Sequence, residues 1–155
     1  MKGLKKILFL STLVLMAVCG TSCNSSDGDE DLDAYIKLDA AAFKARIESA
    51  GGFDAVQILD YRSAADFAKG HLPNAINIEG TNQNAKDENG EFRTAVKNQF
   101  STSKTIFVYG SKATNNTLGF YLSGIISKMG WGIAKTIHMT NGYESWVEAG
   151  YETVK

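Results

Sequence analysis

Thiols are nearly missing from this chain: of 155 residues only Cys19 and Cys23 are cysteine, and none occurs from Asn24 to Lys155. That excludes a disulfide framework in the body and any chemistry carried by a body thiolate. Histidine is limited to His71 and His138, and proline to Pro73. With no cysteine, acid or second histidine at ligand spacing, no metal site is expected, and no cofactor. The charge excess is small, formally −1, and gives no electrostatic case for nucleic acid. Long apolar runs are absent too. The one uncharged apolar stretch, from Ile7 to Val18, is shorter than the roughly 20 residues a helix needs to span a bilayer.

What the N-terminus does contain is an order. Lys2, Lys5 and Lys6 precede the apolar stretch, and Gly20-Thr21-Ser22 follow it immediately before Cys23. Basic, apolar and small-residue regions in that sequence are the layout of a secretory signal. A cysteine placed directly after small residues resembles the lipobox of bacterial lipoproteins. The resemblance implies cleavage before Cys23 and lipid attachment to it, and therefore a membrane partner and a place in the cell envelope. An ordinary secretory signal with idle cysteines is the alternative. Two acyl chains on one cysteine anchor stably where one is marginal. Cleavage there leaves 133 residues, the size of one domain. Asp27, Asp29, Glu30, Asp31 and Asp33 crowd the segment behind Cys23, and this polar stretch reads as a disordered tether. The expected organisation is a signal peptide over 1–22, a lipidated N-terminus and acidic tether over 23–34, and one domain over 35–155.

From Tyr35 the hydrophobic period switches repeatedly. Short strands are predicted at Tyr35–Leu38, Val56–Leu59, Ala75–Ile78, Thr105–Tyr109 and Lys135–Met139. Between them lie helices from Ala40 to Ser49 behind Asp39, from Ser63 through Phe67, from Glu91 to Gln99, from Leu118 to Met129, and from Tyr143. The Asn-, Asp- and Gly-rich stretch from Thr81 to Gly90 reads as a loop. Strands alternating with helices predict an α/β fold, a mainly parallel five-stranded sheet with helices on both faces. Ligand sites in such sheets form at the carboxyl ends of strands.

Two of those ends resemble one family. Leu59-Asp60-Tyr61-Arg62, Asp66-Phe67 and Gly70-His71-Leu72-Pro73-Asn74-Ala75 are similar to the first signature of rhodanese-like domains. Asn141-Gly142, Trp146 and Ala149-Gly150 are similar to the family's ending. The resemblance covers about Tyr35 to Val154. By themselves the residues support an ion pair of Arg62 with Asp66 tying a strand to the next helix. Asp60 would accept backbone donors, and the His71 imidazole would bond a turn. These four either shape a pocket or hold loops in place.

The resemblance implies a sulfurtransferase in which the strand before the site ends in a cysteine held in a loop of backbone N–H groups. Here that stretch is Gly110-Ser111-Lys112-Ala113-Thr114-Asn115. Gly110 stands where the nucleophile belongs, Ala113 where a glycine is frequent, and Asn115 where arginine is common. A glycine cannot attack or carry sulfur, so no catalytic residue is assigned. Ser111 would need a base within reach, and only two histidines exist. The loop retains the means to bind: free N–H groups and Lys112 suit a small anion, unless Asn115 only caps the helix. The expected function is a membrane-anchored domain without sulfurtransferase activity, acting as a binding or interaction module for an unidentified protein partner. The alternative is an enzyme or sensor that handles a small oxyanion or sulfur compound in the same pocket.

Overall fold

The computed structural model describes residues 35–155. The expected signal peptide, Cys23 and the tether lie outside the described residues. Five strands form one parallel sheet in the order β1-β5-β4-β2-β3, with β1 Ile36–Leu38, β2 Gln57–Asp60, β3 Ala75–Asn77, β4 Ile106–Tyr109 and β5 Thr136–Met139. Six α-helices accompany them: α1 Ala40–Ser49, α2 Ala64–Lys69, α3 Asn82–Lys86, α4 Glu91–Gln99, α5 Phe120–Ile126 and α6 Gly142–Glu148. The predicted α/β architecture is the observed one.

Alternation along the strands sorts the core into two layers. In β2, Ile58 joins Phe43, Ile47, Phe107 and Trp146 on one face, and Leu59 joins Phe92, Val96, Val108 and Leu122 on the other. Helices α1 and α6 cover the first layer, and α4 and α5 the second. Each such fully buried side chain contributes roughly 1.5–3 kcal/mol. Trp146 is fully buried, edge-on to Phe43, Phe53 and Tyr151, and its indole N–H donates to Glu152 O at 2.8 Å.

Caps fix the helix starts. The Asp39 carboxylate accepts from the Ala42 N–H, and the Ser63 hydroxyl from the Asp66 N–H, each satisfying a donor that the first helical turn leaves unpaired. The expected loop from Thr81 to Gly90 is corrected in part: Thr81 and Asn84 close a reciprocal capping box that starts α3. The helical stretch expected from Leu118 to Met129 is longer than predicted. A π-helical turn, Asn115–Gly119, leads into α5, and another, Ser127–Trp131, follows it, bent at Gly130 (φ 118°). Trp131, which follows this bend, is buried.

Register positions the site. Asp60 of β2 stands opposite Tyr109 of β4, so the two strands end level and their outgoing loops lie side by side.

Candidate functional site at the carboxyl ends of β2 and β4

The β2 end is a closed electrostatic unit. Asp60 is fully buried and Arg62 nearly so. Arg62 Nε donates to both Asp60 oxygens at 3.0 Å, and Nη2 to Oδ2 at 2.6 Å and to Gly70 O at 2.8 Å. The Arg62 backbone N–H donates to Oδ1 at 2.9 Å, and the guanidinium packs 3.9 Å from the centroid of the Tyr143 ring. Burial opposes the charge on Arg62, but its hydrogen bonds to Asp60, the Asp60 charge and the neighbouring Tyr109 together outweigh that and hold the guanidinium pKa above its ordinary value. This corrects the expected Arg62–Asp66 pair. The chain bends directly after β2, which turns Arg62 back onto the acid two residues earlier. Asp66 instead accepts from Lys69 Nζ at 2.7 Å and Ser63 Oγ at 2.9 Å, and those bonds keep its carboxyl below the usual range. His71 makes the expected backbone contact, its Nδ1 lying 3.2 Å from Phe67 O, with its ring stacked on Phe67.

The β4 end is built differently. Gly110 is buried, and its carbonyl accepts from the Tyr143 N–H at 2.7 Å. A Cβ added to Gly110 would fall inside the van der Waals shell of Tyr61, against Cε2, Cζ and Oη. Ser111 Oγ and Thr114 Oγ1 share a hydrogen bond of 2.8 Å. The Lys112 backbone N–H donates to Glu144 Oε2 at 2.7 Å, and Lys112 Nζ lies 3.6 Å from Glu148 Oε1. Ala113 is exposed. Two sequence expectations are thereby corrected. The Lys112 N–H, one of the loop donors expected to be free, is taken by a carboxylate from α6. Asn115 lies inside the π-helical turn, with Thr114 in the capping place and no side-chain cap bond.

Gly142 brings α6 this close. Its φ of 63° favours glycine, and a Cβ there would stand 2.5 Å from Ser111 C and 2.6 Å from Lys112 N.

Behind the loop, Tyr61 is 2% exposed, and its ring stacks on His138 at a centroid distance of 6.5 Å and 17° between planes. Burial, then the neighbouring Asp60 charge, push the Tyr61 phenol pKa upward. His138 is fully buried, with Nδ1 2.8 Å from Ser123 Oγ and no partner at Nε2. Burial, helped by Lys37, brings its pKa down to about 4, so the imidazole is neutral at ordinary pH. It is a core residue of β5. Both histidines are committed to Phe67 and Ser123, and neither makes a hydrogen bond to Ser111.

A cleft of about 250 Å³ opens beside the loop among Tyr61, Ser63, Gly80, Ser111, Thr114 and Leu118. A second, of about 220 Å³, lies among Arg62, Asp66, Lys69, Ser111, Tyr143 and Glu144. A larger hollow of about 340 Å³ beside α3 brings together no such set of opposed charges. Among the described residues no group of three or more His, Cys, Asp or Glu could hold a metal, and no helix is long and apolar enough to cross a membrane. Tyr61, Tyr143 and Glu144 are the site residues that sequence reasoning missed. The last two sit 32 or more positions from the loop they touch, and Tyr61 is an unremarked aromatic between two charged residues.

Fold and site together define a parallel α/β domain whose pocket is walled by a buried ion pair on one side and by a thiol-free loop on the other. The chain belongs to the rhodanese-like domain family, whose model matches residues 39–149. Among solved structures it is similar to a protein from Bacillus halodurans, with 22% identity over 77% of this chain and 76% of that one, and a TM-score of 0.57. It is also similar to the rhodanese-like domain of a protein from Anabaena sp., with 20% identity over 76% and 77% of the two chains and a TM-score of 0.56. A thiosulfate sulfurtransferase from Pseudomonas aeruginosa matches at 16% identity and a TM-score of 0.53, covering 78% of this chain and 19% of that one. At these identities the likeness is one of fold. No curated protein sequence matches the chain.

Proposed function

We propose that this rhodanese-like domain has given up sulfur transfer and works by binding, held at the bacterial cell envelope through a lipid on Cys23. The observation that carries the reading is Gly110 at the end of β4, at the position we assign to the family's nucleophile. With no side chain there, covalent sulfur transfer through it has no acceptor atom, and from Asn24 onward the sequence offers no other thiol. The Asp60–Arg62 unit beside it supports a retained frame around a repurposed pocket. The test is thiosulfate:cyanide sulfurtransferase activity of the purified chain: no rate above the uncatalysed background is expected, and saturable turnover would overturn the reading. For the anchor, palmitate labelling is expected in the intact protein and lost in Cys23→Ser; labelling that survives would remove it.

A second reading, a pocket that handles a small oxyanion, draws support from the Glu144 carboxylate on the Lys112 N–H, which is anion recognition already in use. It predicts that sulfate, phosphate or thiosulfate raises the melting temperature, since a ligand bound only to the native state stabilises it. Lys112→Ala should weaken that shift; an unchanged melting temperature across millimolar anions counts against it.

A further inference from the structure

We propose that Tyr61 and Gly110 are a reciprocal pair: the Tyr61 ring occupies the space a side chain at position 110 requires, and position 110 is barred from presenting a reactive group while residue 61 is aromatic. The inference rests on the reading that the end of β4 is the family's reactive position, and deepens it, because it makes the site filled where the sequence suggested a vacancy.

The backbone fixes both partners. Beyond the Asp60–Tyr109 rung, the Tyr61 N–H still donates to Tyr109 O at 3.1 Å, so residues 61 and 110 leave adjacent strands with little freedom to separate. Asp60 is locked into the Arg62 pair, and the following side chain points to the other face of the sheet. There the Tyr61 ring joins the layer of Leu59, Val108 and Leu122 and stacks on His138. The three heavy atoms nearest an added Cβ at Gly110 all belong to this ring.

The glycine is not explained by backbone conformation. Gly110 does not have the positive φ seen at Gly142, Gly130 and Gly132, so an L-residue is conformationally acceptable there and only space forbids one. A side chain at 110 must drive a buried ring off its stack and into the cleft beside Ser111 and Leu118. Interiors packed to crystal-like density resist such insertion. A small residue at 61 removes the obstruction.

The experiment uses the full chain carrying Cys19→Ser and Cys23→Ser, so that residue 110 supplies the only thiol. Gly110→Cys and Tyr61→Ala/Gly110→Cys are reacted under native conditions with a small aromatic disulfide. The thiolate attacks one sulfur, forms the mixed disulfide and releases one coloured aryl thiolate. Relative to each protein's rate in urea, the double variant is expected to react at least tenfold faster than Gly110→Cys; equal native rates would overturn the pair. Gly110→Ala covers the case in which Gly110→Cys does not fold. It should lower the melting temperature strongly beside Tyr61 and less than half as much in Tyr61→Ala, and equal drops in the two backgrounds would overturn the pair as well. Sulfurtransferase turnover by the unaltered chain would overturn the proposed loss of catalysis, while the pair would still stand or fall on these two comparisons.

Discussion

The ends of β2 and β4 lie side by side and meet opposite demands. At β2 a carboxylate and a guanidinium are buried together, and each is satisfied several times over. At β4 the side chain is absent and a neighbour's ring takes its volume. The first end is held by charge and the second by packing. The frame of a site and its reactive atom are therefore separate structural problems, and a chain can keep one without the other.

The largest expected effect comes from breaking the charged end. Removing one partner of a buried ion pair leaves the other uncompensated, at a cost of about 3–5 kcal/mol. Asp60→Ala should lower the urea midpoint accordingly, while Gly110, having no side chain, offers no such loss. A midpoint within experimental scatter of the unaltered protein would show that water reaches Arg62.

The packed side has its own weakness, which is pH. The His138 pKa lies near 4 in the fold against an ordinary 6.5. Above 6.5 the imidazole is neutral in both states and contributes no pH dependence. As pH falls from 6.5 towards 4 the unfolded chain binds a proton that the native state refuses, so stability declines by about 3 kcal/mol before levelling off. In His138→Gln that component is absent, and the stability gap between the two proteins should narrow from pH 7.5 to pH 4.5. A constant gap would place the protonation elsewhere.

Smaller effects sharpen the boundary between the two ends. Ser63→Ala removes the α2 cap beside the β2 end, for a loss of about 1 kcal/mol measurable by urea titration. Lys112→Ala should stay within about 0.5 kcal/mol, because the contact to Glu144 uses the backbone N–H and the Lys112 side chain and Glu148 are both exposed. A larger loss would mean that the Lys112 ammonium, and not the peptide group, holds α6 against the loop.

Much of this was legible in the sequence. Val108-Tyr109-Gly110 reads as a strand and its end because β-branched and aromatic residues stop abruptly at a glycine, and Gly70-His71 reads as a turn. The Arg62–Asp66 expectation failed because the bend after β2 turns the Arg62 guanidinium back onto Asp60, while Asp66 is taken by Ser63 and Lys69. Helix α3 was hidden by an Asn-rich composition whose capping box uses Asn84 where Glu or Gln would have announced it. Tyr61 over Gly110 depends on the register of β2 against β4, and Glu144 on Lys112 depends on how α6 is laid down. Both follow from assembly, which no local pattern encodes.

The parallel sheet has one further consequence. Because all strands run the same way, the chain enters β1 at Ile36 on the sheet's amino edge, the edge opposite the loops after Asp60 and Tyr109. In the anchored protein proposed above, tension through the N-terminus would act at the rim opposite the Gly110 loop. The start of β1 and the Gly110 loop thus occupy opposite rims of one parallel sheet.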